Sequence, residues 1–175
     1  MLTVIMLVAT LALVVADQLT KIWAVTQLHY ANRVIPVIDG VFEFHYAENP
    51  GVAFSMLAGQ RWIFIPITLI IGGFILAMML RSPLRRYPLF NITCVLILSG
   101  AIGNLIDRIA YGYVIDFLYF RLIDFPIFNF ADCCVVIGAI LLFIFVLFVM
   151  KDDDDTPLRT LFFGIEKKHK ENKDG

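Results

Sequence analysis

GAIGNLIDRIAYGYVIDFLYFRLIDFPIFNFADCC, residues 100–134, is the stretch on which the fold turns. It sets Asp107, Asp116 and Asp132, with Asn104, Arg108 and Asn129, at the facing ends of two long apolar segments. A charged or amide side chain at a membrane boundary is costly to leave unpaired, so such a residue marks a functional site by default. Taken singly, each Asp or Asn also suits a helix cap or an interfacial anchor. Six of them in one short stretch fit that bland role poorly.

Outward from this stretch the chain is apolar. Of its 175 residues 60% are hydrophobic and 17% charged, and the mean hydropathy is +0.84. A soluble domain of this length would need far more polar surface, so lipid must cover the excess and the chain is an integral membrane protein. The net charge of −1 and the lack of a basic patch give no reason to expect nucleic acid as a partner. Cys94, Cys133 and Cys134 lie in or beside apolar segments, without metal-ligand spacing, and read as buried small residues.

Four spans are expected, at about residues 2–25, 62–80, 88–106 and 131–150, forming one membrane domain over 1–150. The first lacks the positive n-region of a cleaved signal peptide, and further spans follow it, so it reads as an uncleaved helix. Asp17 and Lys21 lie four residues apart near its end, on one helical face where they can pair. Residues 29–61 form an outer loop. Apolar and polar residues alternate there around Val41 to Tyr46, which suggests short strands at the membrane surface, before the break at Asn49-Pro50-Gly51. Phe42, Phe44, Tyr46 and Trp62 would suit an interfacial aromatic belt, and Phe54 a loop closing over a ligand. Residues 151–175 read as a polar tail, and no internal repeat is present.

Arg81, Arg85 and Arg86 and the basic tail fall on one side of a four-span chain, and the positive-inside rule makes that side the cytoplasm, with both termini there. By parity Asp17, Lys21, Asn49, Asn104 to Arg108 and Asp132 then share the outer face. A single polar site is the economical account. Asp116 and Asp132, fifteen residues between them, can be brought together by a loop that doubles back. Two carboxylates in a poorly solvated site share a proton, so one acts as base on a water while the other donates to a carbonyl or leaving amine. His29, His45 and His169 are scattered and form no metal site.

Five motifs carry a resemblance. Asp17-Gln18-Leu19-Thr20-Lys21, Asn49-Pro50-Gly51-Val52-Ala53-Phe54, Gly103-Asn104-Leu105-Ile106-Asp107-Arg108, Val114-Ile115-Asp116-Phe117 and Phe128-Asn129-Phe130-Ala131-Asp132 resemble, in order, the motif set of bacterial lipoprotein signal peptidase, or signal peptidase II. That resemblance implies an intramembrane aspartic endopeptidase of the bacterial cytoplasmic (inner) membrane; its site is expected near the outer leaflet, with no cofactor, and the chain is expected to be a monomer. Its substrates would be diacylglyceryl-modified prolipoproteins, cut on the N-terminal side of the lipidated lipobox cysteine. The resemblance places Asp116 and Asp132 at the catalytic pair. It places Asn49, Gly51, Asn104, Arg108 and Asn129 at substrate-binding or site-shaping positions, and Asp17, Lys21 and Asp107 at supporting ones. Arg108 could equally pair with Asp107 or Asp17. Cys133 stands where the family often has Ser, and the acidic tail from Asp152 to Asp155 departs from the family pattern. Two readings from other classes remain: a small transporter with Asp17, Asp107 and Asp132 as a proton relay, and a noncatalytic membrane scaffold.

Overall fold

The computed structural model describes residues 1–51, 61–81 and 83–149. The expected roles of Phe54 and of the polar tail lie outside those residues, and the side chain of Trp62 is likewise outside the description.

Helix α1 (Leu2–Ala24) continues through a π-type turn, Val25–His29. Its buried residues, Met6, Thr10, Val14, Asp17, Lys21 and Ala24, recur every three or four positions and so form one stripe. The rest of its surface is apolar and uncovered: Val4, Ile5, Val8, Leu11, Leu19 and Ile22 are each more than half exposed. This inversion, apolar outside and charged inside, is what a lipid solvent selects. Helix α2 (Arg61–Arg81), helix α3 (Pro88–Ala110) and helix α4 (Phe130–Ile144, continued by a π-type turn to Val149) complete the bundle. Among the described residues three stretches, Leu2–His29, Pro88–Ala110 and Phe130–Phe148, are long and apolar enough to cross a membrane, and Ile65–Arg81 of α2 is a shorter apolar helix. α3 is the central helix, packed against the other three.

Small residues let α3 and α4 approach closely, as in other membrane bundles. A Cβ at Gly100 would collide with the Ala131 carbonyl oxygen, and one at Gly138 would stand 2.6 Å from the Ile97 side chain.

Strands β1 (Ile35–Ile38), β2 (Phe42–Asn49) and β3 (Val114–Tyr119) make an antiparallel sheet in the order β1-β2-β3. The alternation around Val41 to Tyr46 becomes β2. Its partner β3 carries no such signal, because Val114 to Phe117 are all buried and show no alternation. A register shift between Phe44 and Ala47 sets Ala47 opposite Asp116 and Asn49 opposite Val114. Beyond β3 the chain passes a left-handed turn at Asp124 (φ 48°) and returns to bridge Phe128 against Leu118. That return is what carries Asn129 and the start of α4 back beside Asp116.

Two apolar cores result. One gathers Met6, Met79, Leu84, Phe90, Cys94, Val95, Leu98 and Phe145; the other, under the sheet, gathers Ala24, Leu28 and Phe117. Along α1 the charged residues Asp17 and Lys21 fall between them.

Candidate active site

Lys21 is the natural starting point, because a buried ammonium must find a partner for each of its three hydrogens. It is 1% exposed and lies 2.9 Å from Asp17 Oδ2 and 2.9 Å from Asp107 Oδ2. Its third partner is Asn104 Oδ1, at 3.1 Å. The two carboxylates are satisfied in turn by groups far away in sequence. Asp17 Oδ1 accepts from the Ala131 backbone N–H (2.9 Å), and Asp107 Oδ2 accepts from the Ile115 backbone N–H (3.1 Å). Gln18 Nε2 donates to Asp17 and Asp107, at 3.1 Å each. Three charges therefore fasten α1, α3, the first turn of α4 and the start of β3 to one another.

Asn104 connects this layer to the carboxylate pair. Its Oδ1 faces Lys21 and also accepts from Asn129 Nδ2 (3.0 Å), so its Nδ2 is directed to Asp132 Oδ1, at 2.7 Å. Asn129 and Asp132 form a capping box at the start of α4. Asn129 Oδ1 accepts from the Asp132 N–H (2.9 Å), and Asp132 Oδ2 accepts from the Asn129 N–H (3.1 Å). The cap leaves Asn129 Nδ2 to donate to Asp116 Oδ1, at 2.7 Å. Asn49 Nδ2 takes the other oxygen of Asp116, at 2.9 Å, while its own Oδ1 accepts from the Gly51 N–H (3.0 Å). Gly51 adopts φ 100°, a conformation open to glycine but strained for other residues.

Asp116 and Asp132 thus stand on either side of one amide, Asn129. Asp116 is 1% exposed, and burial, with the neighbouring Asp132 charge adding to it, pushes its carboxyl up to about 7 despite the amide donors of Asn49 and Asn129. A carboxylic acid near neutrality beside a second carboxylate can give and take protons at physiological pH. Arg108 lies one turn beyond Asn104, donates to the Asn104 carbonyl (3.4 Å), and is within electrostatic reach of Asp132, Asp116 and Asp107. Lys21 already engages both Asp107 and Asp17.

All ten residues singled out in the sequence therefore lie on one connected set of elements. Gln18 is a member of the network that the sequence pattern does not single out; its signal is a polar amide one residue from a charge within a span. Among the described residues, no cluster of three or more His, Cys, Asp or Glu side chains could hold a metal ion.

Two solved bacterial membrane enzyme structures share the fold. One has TM-score 0.73 at 27% identity, covering 87% of this chain and 92% of its own. The other has TM-score 0.72 at 29% identity, covering 86% and 94%. A family model described as Signal peptidase (SPase) II matches residues 9–148. The lipoprotein signal peptidase of Symbiobacterium thermophilum is 42% identical over 145 residues, 82% of this chain and 94% of that protein. The lipoprotein signal peptidases of Halothermothrix orenii and Clostridioides difficile are 39% and 42% identical, over 79% and 75% of this chain and 92% and 87% of theirs. The chain belongs to the signal peptidase II family and is a peptidase that removes signal peptides.

Proposed function

We propose that this peptidase acts on prolipoproteins as an aspartic endopeptidase, with Asp116 and Asp132 as its catalytic pair. The observation that carries the reading is that Asn129 serves both: its backbone N–H binds Asp132 and its side-chain amide binds Asp116. In the reaction one member of the pair is ionised and the other protonated. The carboxylate takes a proton from a water as the water oxygen bonds to the scissile carbonyl carbon, and the acid gives its proton to the carbonyl oxygen. As the C–N bond breaks, the first carboxyl passes its new proton to the departing amine. A hydroxyl of the intermediate returns a proton to the second, so the pair is restored.

The substrate is a prolipoprotein whose cysteine carries diacylglycerol, and the cut falls on the N-terminal side of that cysteine. Asn49, Gly51, Asn104 and Asn129 shape the cleft. Arg108, with its planar fork of donors, binds an ester carbonyl or a carboxylate of the substrate. Asp17, Lys21 and Asp107 hold the helices around it. The protein is a monomer of the bacterial inner membrane, with one membrane domain over residues 1–150 and both termini cytoplasmic. In this reading α2 is the fourth span: its 21 residues reach about 31 Å at ~1.5 Å per residue, enough for a hydrocarbon core of ~30 Å. The site then lies near the outer leaflet.

A proton-relay transporter fits less well. Along α1 the charged layer is followed toward the N-terminus by the apolar core around Met6, Met79 and Phe145, which among the described residues gathers no acidic or basic side chain. The test is cleavage by the purified full-length protein in lipid, with diacylglyceryl-modified and unmodified forms of one prolipoprotein. Mass spectrometry should find a cut immediately before the modified cysteine and none in the unmodified form. Equal cleavage of both, or a cut elsewhere, would overturn the substrate assignment.

A further inference from the structure

Lys21 touches neither Asp116 nor Asp132, yet a single amide, Asn104, joins it to Asp132, whereas two amides, Asn104 and Asn129, stand between it and Asp116, on which its charge acts more weakly than burial. The Asn104 amide orientation is fixed, since only an oxygen can face the ammonium and the Asn129 amide donor at once. Its nitrogen must then donate to Asp132, and does so over 2.7 Å. A cation pulling on the carbonyl end of an amide strengthens donation from the nitrogen end, the usual cooperativity of a hydrogen-bond chain in a low-dielectric site. Asp132 has a second advantage in the first turn of α4, where it accepts the Asn129 N–H and lies at the positive end of the helix dipole.

Asp116 has neither. It sits in the middle of β3 with 1% of its surface exposed, and its donors are the side-chain amides of Asn49 and Asn129.

We propose that Lys21 is a positioning residue for the reaction: acting through the Asn104 amide, it holds Asp132 as the charged member of the pair and leaves the shared proton on Asp116. Asp132 is then the base that takes the proton of the attacking water, and Asp116 the acid that protonates the carbonyl oxygen. This rests on the aspartic reading above and adds the division of labour within it. The upward push on the Asp116 carboxyl agrees with the same division. The charged groups around Asp132 are Asp116 on β3, Arg108 and Asp107 on α3, and Asp17 and Lys21 on α1. Lys21 is wired to Asp132 by the side-chain amide of Asn104.

Two measurements on the full-length protein in lipid test this. In the first, infrared difference spectra follow the protonated-carboxyl band at pH values spanning neutrality. The band should vanish in Asp116→Asn and persist in Asp132→Asn; loss in Asp132→Asn alone would overturn the proposal. In the second, pH–rate profiles are compared for Lys21→Met, Lys21→Arg and Asn104→Ala. Asn104→Ala keeps Lys21 paired with Asp17 and Asp107 and so guards against misfolding. Both Lys21→Met and Asn104→Ala should lower kcat about tenfold or more, change KM little, and move the acid limb of the profile upward by about one pH unit. Lys21→Arg should recover part of both. An unmoved acid limb in Asn104→Ala would refute the relay. Asp116→Asn and Asp132→Asn run in the same assay keep the two levels apart: if both cleave normally the aspartic reading falls, and if neither does while the limb stays in place only this inference falls.

Discussion

Replacing Lys21 by methionine keeps the length of the stem but removes the cation that two carboxylates share. Asp17 and Asp107 would then be left in the bundle with Gln18 and two backbone N–H groups as their remaining donors. Removing one partner of a buried ion pair costs about 3–5 kcal/mol. Here one ammonium, 1% exposed, serves two carboxylates and an amide, which places the cost in the upper half of that range. For a chain of this size each kcal/mol lowers the thermal midpoint by about 2–4 °C, so a drop of about 8–20 °C is expected. The assay is thermal unfolding in lipid nanodiscs of the native protein, Lys21→Met, Asp107→Asn and the double variant. Because Asp107→Asn removes one of the carboxylates left unpaired, the double variant should lose less than the two single losses together. A Lys21→Met midpoint within about 2 °C of native, or simple additivity, would refute the account of the charged layer.

The stability should also depend on pH through Asp116. Its folded carboxyl holds a proton up to about 7 against an ordinary value of 3.8, so its contribution is fully present below about pH 4 and is lost as pH rises through 7. The span is on the order of 4 kcal/mol; thermal midpoints from pH 4 to 8 should decline for the native protein and flatten for Asp116→Asn. A Cβ at Gly103 would stand 2.5 Å from Asp17 Oδ2 and 3.2 Å from the Ala131 Cβ. Gly103→Val should therefore destabilise by about 1–3 kcal/mol or more, read as a lower midpoint. Asn129→Ala removes a helix cap worth about 0.5–2 kcal/mol together with the amide that joins the pair. It should lower activity far more than that loss of stability explains, which cleavage assays well below the unfolding temperature will show.

The helices are legible in the sequence because an uncharged apolar run of about twenty residues is long enough to cross a bilayer and too apolar to face water. Asp17 and Lys21 are legible as a pair because four residues place them on one helical face. The positions of Asp107 and Asn104 around Lys21 are not. They lie more than 80 residues along the chain, and only the packing of α3 on α1, made close by Gly103 opposite Asp17, brings them into reach. The sheet is half visible. β2 alternates, but β3 is buried at Val114 through Phe117, with Asp116 among its apolar residues, and a short run without alternation does not declare itself a strand. Convergence of the two carboxylates can be expected from the spacing of Asp116 and Asp132. Their connection through Asn129 depends on the return of the chain at Phe128 and on the capping box, neither of which a pattern of residue types determines.

The most direct test of the central claim is cleavage of a diacylglyceryl-modified prolipoprotein by the native protein, Asp116→Asn and Asp132→Asn, each shown to be folded in lipid, with and without a metal chelator. The account predicts signal-peptide release by the native protein in both conditions and loss of cleavage by orders of magnitude in each variant. Undiminished cleavage by either folded variant would contradict it.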